Sequence, residues 1–267
     1  MRAHFALRFL TTVLLVQSVF WAGSSSLMAT EAATLRLVAY NIKHGRGMDN
    51  RVDLHRIASV LRKLKPDMVA LQEVDHSCTR SGKVHQAALL GNLLGMHHSF
   101  GKFMDFQGGQ YGLAVLSRFP VQKSTRHQLA PGAEPRCALE VTVRPVSSGP
   151  LLSFVSIHND WTRESFRTAQ VSDLIAGLRE RTHPIILAGD FNAEPGADSL
   201  VKLKNSGFLF LPKTKDPRTF PSPAPRLEID HFMARGFPFD KPPLTVVHDE
   251  KIASDHRPIV IDIPLPE

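Results

Sequence analysis

The sequence predicts an α+β fold built on more than one β-sheet. Short apolar runs bounded by Gly, Pro, Asn and Asp recur along the whole chain, as strands do. A few longer segments with helical spacing interrupt them. The chain has 267 residues, 43% hydrophobic and 21% charged, which is ordinary globular composition with apolar content for one large core or two small ones.

The first thirty residues differ from the rest. Arg2 and Arg8 precede an apolar run from Phe9 to Gly23, followed by Ser24, Ser25, Ser26 and the small residues Ala29, Ala32 and Ala33. That order describes a secretory signal peptide over residues 1–30, cleaved between Ala22 and Ala33, and leaves 31–267 as the folded domain. The run is shorter than the roughly 20 apolar residues a spanning helix needs, and Thr11, Thr12, Gln17 and Ser18 weaken it. No cysteine sits there for lipid attachment, and no later segment is apolar enough to span a bilayer. A secreted or periplasmic monomer without stable membrane insertion is expected. Its formal net charge of +7 and pI near 9.6 suit anionic partners. Lys and Arg are scattered, so nucleic acid, phospholipid head groups and small phosphorylated molecules all remain open. The two cysteines, Cys78 and Cys137, could pair in an exported protein, which geometry decides.

Leu35–Tyr40 reads as a strand ending at Asn41, and Gly45 and Gly47 open a loop. Asn50 offers a helix N-cap, Ile57, Val60, Leu61 and Leu64 follow at helical spacing, and Pro66 stops the helix. Met68–Leu71 is a short buried strand ending in Gln72-Glu73, and residues 84–95 suggest a second helix. Gly112–Ser117 and Cys137–Val143 read as strands, the latter with the alternation of a half-buried position. Leu151–Ile157 is a strand ending at His158, and a helix is expected over 163–180. Ile185–Asp190 is a strand, a helix follows near 196–205, and a Pro-rich surface loop runs from Pro212 to Pro225. The strands LEIDHFMA and Pro258–Ile263 close the chain.

A pattern links these elements. Four apolar runs stop at Asn41, Glu73, His158 and Asp190, polar residues that a strand end does not require. Strand ends converging on one sheet rim would hold them with the tolerance that chemistry needs. Asp230, and Asp255-His256 ahead of the last strand, would join them if that strand runs the opposite way.

The ordered motifs VAYNIKHG, LQEVD, YGLAVLSR, EPRCALEV, SIHNDW, GDFNAEP, EIDHF and SDHRP span nearly the whole mature chain. Together they resemble the endonuclease/exonuclease/phosphatase superfamily. The resemblance implies a four-layer α/β/β/α sandwich, two packed mixed β-sheets flanked by helices, with the site at one edge. It also implies a phosphodiesterase or phosphatase using Mg²⁺ or Mn²⁺, which prefer oxygen ligands. Glu73 and Asn41 would hold the ion, with Asp255 as a further ligand. Asp190 would orient or deprotonate the water. Asn192 and His158 would donate to phosphoryl oxygens. His256 would act on the water or the phosphoryl oxygen, as base or as stabiliser depending on its partner. Asp230 would orient His256 or serve a second ion. Arg136, Tyr111 and Asp160 are the candidate substrate contacts, although Asn159 departs from the family's usual apolar residue.

Bland readings stand beside these. Trp161 is either a packing residue or a platform for a base or an acyl chain, and Phe100–Phe106 is either a membrane-seeking hairpin or an ordinary strand. The competing class is a non-catalytic binding module on the same fold. The presence of Glu73, Asp190 and His256 favours the enzyme.

Overall fold

The computed structural model describes Met1 and residues 34–265, so the expected leader over 1–30 and its cleavage lie outside the described residues. The described strands form two six-stranded sheets. The first runs β11 (Val246–Val247), β12 (Ile259–Pro264), β1 (Thr34–Asn41), β2 (Met68–His76), β4 (Gly109–Ser117) and β3 (His97–Phe106). The second runs β5 (Val121–Gln128), β6 (Cys137–Val143), β7 (Leu152–His158), β8 (Ile185–Asp190), β10 (Asp230–Arg235) and β9 (Leu209–Leu211). Each sheet has one parallel pair, β1–β2 and β7–β8, and its other pairs are antiparallel.

Strand periodicity explains the layering. Leu35, Leu37 and Ala39 of β1 meet Phe154 of β7, Ile186 and Ala188 of β8, and Phe232 of β10 in the core between the sheets. The alternate residues face outward. Val38, Val69 and Leu71 pack under α1 (Leu54–Leu64) and α2 (Gln86–Leu94). Val155, Ile185 and Leu187 pack under α3 (Glu164–Gly177) and α4 (Asp198–Asn205). The result is the expected four-layer α/β/β/α sandwich of mixed sheets. At one end, Gln72 Nε2 donates to Ser156 Oγ at 2.9 Å, and that hydroxyl donates to Leu71 O at 3.1 Å, fastening the sheets together.

Several local expectations need correction. The cap of α1 is Asp53, whose carboxylate accepts from Arg56 N; Asn50 sits in the preceding turn at φ 62°. The strand at Met68 runs on to His76 through a bulge between Leu71 and Val74. All seven residues of β6 are buried, because Glu140 and Thr142 on its second face are covered by polar neighbours, including His127, Ser153 and Arg181. Phe100–Phe106 is part of β3, with Phe103 buried between the sheets, which leaves no exposed apolar hairpin there. Cys78 and Cys137 are buried free thiols. Among the described residues, no helix is long and apolar enough to cross a membrane.

Candidate active site

The space between the sheets opens at one end, and strand periodicity places the polar residues there. Asn41 continues the inward-facing series Leu37, Ala39 of β1. Asp190 continues Ile186, Ala188 of β8, and Asp230 begins the series Phe232, Ala234 of β10. His158 follows Phe154 and Ser156 on β7. β12 runs antiparallel to β1, so the Asp255-His256 pair preceding it arrives at the same mouth. A cavity of about 500 Å³ opens there, lined by Glu73, Tyr111, Arg136, His158, Asp190, Asn192, Asp255 and His256 among others.

Asp190 is the hub. Its Oδ2 accepts from Asn41 Nδ2 at 3.1 Å, and its Oδ1 accepts from the Asn192 backbone N–H at 2.9 Å. The Nε2 atoms of His158 and His256 each stand 3.6 Å from Oδ2. Burial raises the Asp190 carboxyl to about 7; the nearby Asp230 charge adds to that, and His256 opposes it. On His256, burial disfavours charge, but Asp230 and Asp190 outweigh it and raise the imidazole to about 10. His256 Nδ1 is 2.9 Å from Asp230 Oδ2, which also accepts from Thr219 Oγ1. The Phe220 ring lies 4.8 Å from the imidazole. His158 differs: burial first, then the charges of Arg136 and His256, push it well below the usual imidazole range, leaving it neutral. Its Nδ1 has no partner.

Arg136 is 1% exposed yet lines the cavity. Its Nη2 meets Glu134 at 2.9 Å, while Nε and Nη1 have no partner among the described residues. These are the unmet donors an anion would fill. Tyr111 also reaches the cavity, its ring held by Phe103, Phe106 and the Arg80 guanidinium. Asn192 lines the cavity and spends one amide hydrogen on Asn159 O at 3.0 Å.

The donors suit a hard cation. Asn41 Nδ2 is lodged between Glu73 Oε1 and Asp190 Oδ2, 3.1 Å from each. Burial, with the Asp255 charge added, raises the Glu73 carboxyl above its ordinary value. Carboxylate and amide oxygens such as these are what Mg²⁺ or Mn²⁺ would accept. Asn41 Oδ1 accepts from Lys43 N at 3.1 Å and retains a second lone pair for an ion. Asp190, Asp230 and His256 form a second grouping, with ligand atoms within 4.8 Å of one another, though the His256–Asp230 bond already occupies part of it.

Two candidates behave differently from expectation. Asp255 meets Lys43 Nζ at 2.7 Å, so a lysine already neutralises it. Asp160 does not line the cavity: its Oδ1 accepts from Thr162 N at 2.7 Å and from the Thr162 hydroxyl, and its Oδ2 accepts from Ala133 N at 2.7 Å. It is a positioning residue for two loops, and the expectation of a direct substrate contact is corrected on that ground. Sequence reading missed Thr219, Phe220, Lys43 and Ser254, whose Oγ donates to Asn41 O at 2.7 Å. Thr219 and Phe220 lie in a Pro-rich loop with no periodicity to flag them.

The sandwich with a polar mouth at one sheet edge defines a class of protein. The endonuclease/exonuclease/phosphatase family matches residues 38–256, and the chain belongs to it. It is 24% identical over 262 residues to the uncharacterized protein YbhP of Escherichia coli K12, covering 88% of this chain and 98% of that one. An endonuclease/exonuclease/phosphatase protein from Bacteroides vulgatus superposes with a TM-score of 0.72 at 18% identity, covering 88% of this chain and all of that one. The mannosyl-6-phosphatase Bt3783 of Bacteroides thetaiotaomicron superposes at 0.69 with 16% identity, covering 85% and 98%. At those identities the two structures show the shared fold alone.

Proposed function

We propose that the protein is an exported, monomeric phosphoester hydrolase dependent on Mg²⁺ or Mn²⁺, acting on a phosphodiester or phosphomonoester without stable membrane insertion. One observation carries this reading: a carboxyl raised to about 7 stands 3.6 Å from an imidazole raised to about 10, in a cleft with unmet arginine donors. That is a base and a fixed cation set apart by their surroundings. Asp190 takes a proton from the attacking water, whose oxygen forms the new bond to phosphorus. His256 Nε2 and the guanidinium of Arg136 donate to phosphoryl oxygens, so negative charge develops against cations already in place. Neutral His158 and the second amide hydrogen of Asn192 add donors to the same oxygens. Asn41 holds Asp190 towards the water, and Asp230 holds His256 charged. The bond to the leaving oxygen breaks, and the alkoxide takes a proton from solvent at the open mouth. A bound divalent ion at Glu73 and Asn41 would offset phosphoryl charge and polarise the scissile bond.

The test is hydrolysis of bis(p-nitrophenyl) phosphate and a phosphomonoester by the full chain with Mg²⁺, Mn²⁺ or EDTA. Metal-dependent turnover lost in Asp190→Asn supports the proposal. Inertness towards every phosphoester in the presence of either ion overturns it.

A further inference from the structure

The cavity has a second character that catalysis does not use. Its wall also carries the large apolar side chains Trp161, Phe220, Leu227 and Ile229, with the Phe220 ring 4.8 Å from the His256 imidazole. Trp161 is 65% exposed and Leu227 42% exposed, an unusual position for large apolar side chains on the wall of a polar cleft. The indole is not on a loose loop. Asp160, one residue before it, accepts from the backbone N–H groups of Thr162 and Arg163 and from the Thr162 hydroxyl, while Gln170 Oε1 accepts from Asp160 N. The same carboxylate accepts from Ala133 N and so ties down the loop leading to Glu134 and Arg136. One buried residue thus fixes the backbone that carries Trp161 and the loop that leads to Arg136. A side chain on a fixed backbone gives up less entropy when a ligand covers it than one on a mobile loop.

We propose that this wall is a substrate subsite that stacks a planar aromatic substituent, and that the natural substrate is a small aromatic or nucleobase-bearing phosphoester. The inference rests on the phosphoesterase reading above. The cavity, about 500 Å³, holds a phosphate with one ring system. Of the cations around the cleft, Lys43, Arg80, Arg167 and Arg257 are each paired with a carboxylate, while Arg136 keeps two unmet donors for one phosphate. A flat, exposed indole on the wall of a cleft that takes a phosphate matches a ring better than a flexible acyl chain.

The full chain holds two tryptophans, so Trp21→Phe leaves Trp161 as its single indole. Binding of dimethyl, methyl octyl and methyl phenyl phosphate, and of the methyl ester of thymidine 5′-phosphate, would be read with Mg²⁺ present by indole quenching and by calorimetry. The phenyl and thymidine esters should bind about tenfold tighter than the dimethyl ester, as ring stacking gives elsewhere. That preference should vanish in Trp161→Ala and weaken in Leu227→Ala, with dimethyl phosphate affinity unchanged. Equal binding of all esters, tightest binding of the octyl ester, or a preference surviving Trp161→Ala would each overturn the subsite. Binding and turnover are separate readouts: aromatic selectivity without hydrolysis sinks the enzyme reading and leaves a binding site, while hydrolysis without selectivity sinks only the subsite.

Discussion

Replacing Asp230 with Asn tests the electrostatic core of the proposed mechanism. The substitution keeps shape and an oxygen for the Thr219 hydroxyl while removing the charge 2.9 Å from His256 Nδ1. At an effective dielectric near 20, unit charges at that spacing attract by about 6 kcal/mol. Raising the imidazole from 6.5 to about 10 against burial is of the same order, with Asp190 supplying the balance. Loss of the Asp230 charge should therefore return His256 to near or below its ordinary value and leave it neutral at pH 8. The phosphoryl oxygen then loses a charged donor, which costs about 10²- to 10³-fold in kcat. The assay is kcat/KM from pH 5 to 9 on an aryl phosphodiester, alongside nitrogen NMR of His256. Wild type should hold its rate through pH 9, while the variant should regain rate on acidification towards pH 6. A variant within fivefold of wild type at pH 8, or one whose imidazole stays charged there, refutes the role of Asp230.

Other expectations follow from the same geometry. Asp190 is raised to about 7, so it takes up a proton as pH falls through that value, and kcat/KM of wild type should drop on that acid limb. Asp190→Asn should abolish the limb with most of the turnover; in EDTA at pH 8 it should raise Tm, because a folded-state carboxyl pushed upward makes the fold less stable once ionised. Glu73→Gln should weaken Mn²⁺ binding in calorimetry at least tenfold with Tm held; unchanged binding removes Glu73 as a ligand. Far from the site, burial opposes the charge of Glu140, but hydrogen bonds from His127, Arg181 and Ser153 lower it to about 2. Stability from that group is complete above its unfolded value of 4.5 and is lost as pH falls towards 2. Glu140→Gln should cost about 2 kcal/mol at pH 7 in urea unfolding and leave kcat unchanged.

The sequence made legible whatever depends on side-chain periodicity. Buried runs such as IILAGD end on an inward-facing residue, so Asn41, His158 and Asp190 could be placed at a common rim before any coordinates. Edge strands were not legible for the same reason. Exposed on one side, β5 reads VQKSTRHQ, and β3 begins HHS, so neither shows an apolar run. The alternation in β6 was visible but misled, because long-range partners bury its polar face. Asp160 carried a matching motif, yet the direction of its carboxylate depends on a loop 27 residues earlier in the chain, at Ala133. The charge state of His256, left open by its sequence context, follows from Asp230 and Asp190, which reach it only once β8 and β10 pair.

Glu73 shows why periodicity alone cannot build the site. On β2, Val69 and Leu71 face the helices, while Met68 and Ala70 face the other sheet. Gln72 keeps that inward phase and bonds Ser156. An unbroken strand would then point Glu73 into the apolar layer under α1 and α2, where a carboxylate has no partner. The bulge prevents this: Glu73 adopts φ 58°, Val74 takes the outward place, and the carboxylate turns to the cleft beside Asn41. Lys43 and Asn192 are also left-handed, at φ 45° and 50°. Such backbone costs about 1–3 kcal/mol per residue and persists only where surrounding structure dictates it. Left-handed backbone also occurs away from the site, at Lys65, Ser77, Lys83, Gln107 and Asp216, but at these three positions the cost falls on groups expected to meet the ion, neutralise Asp255 and hold the phosphoryl oxygen. A glycine at each of the three would relieve the backbone but remove the side chain, so at these positions strain is the cost of placing the donor.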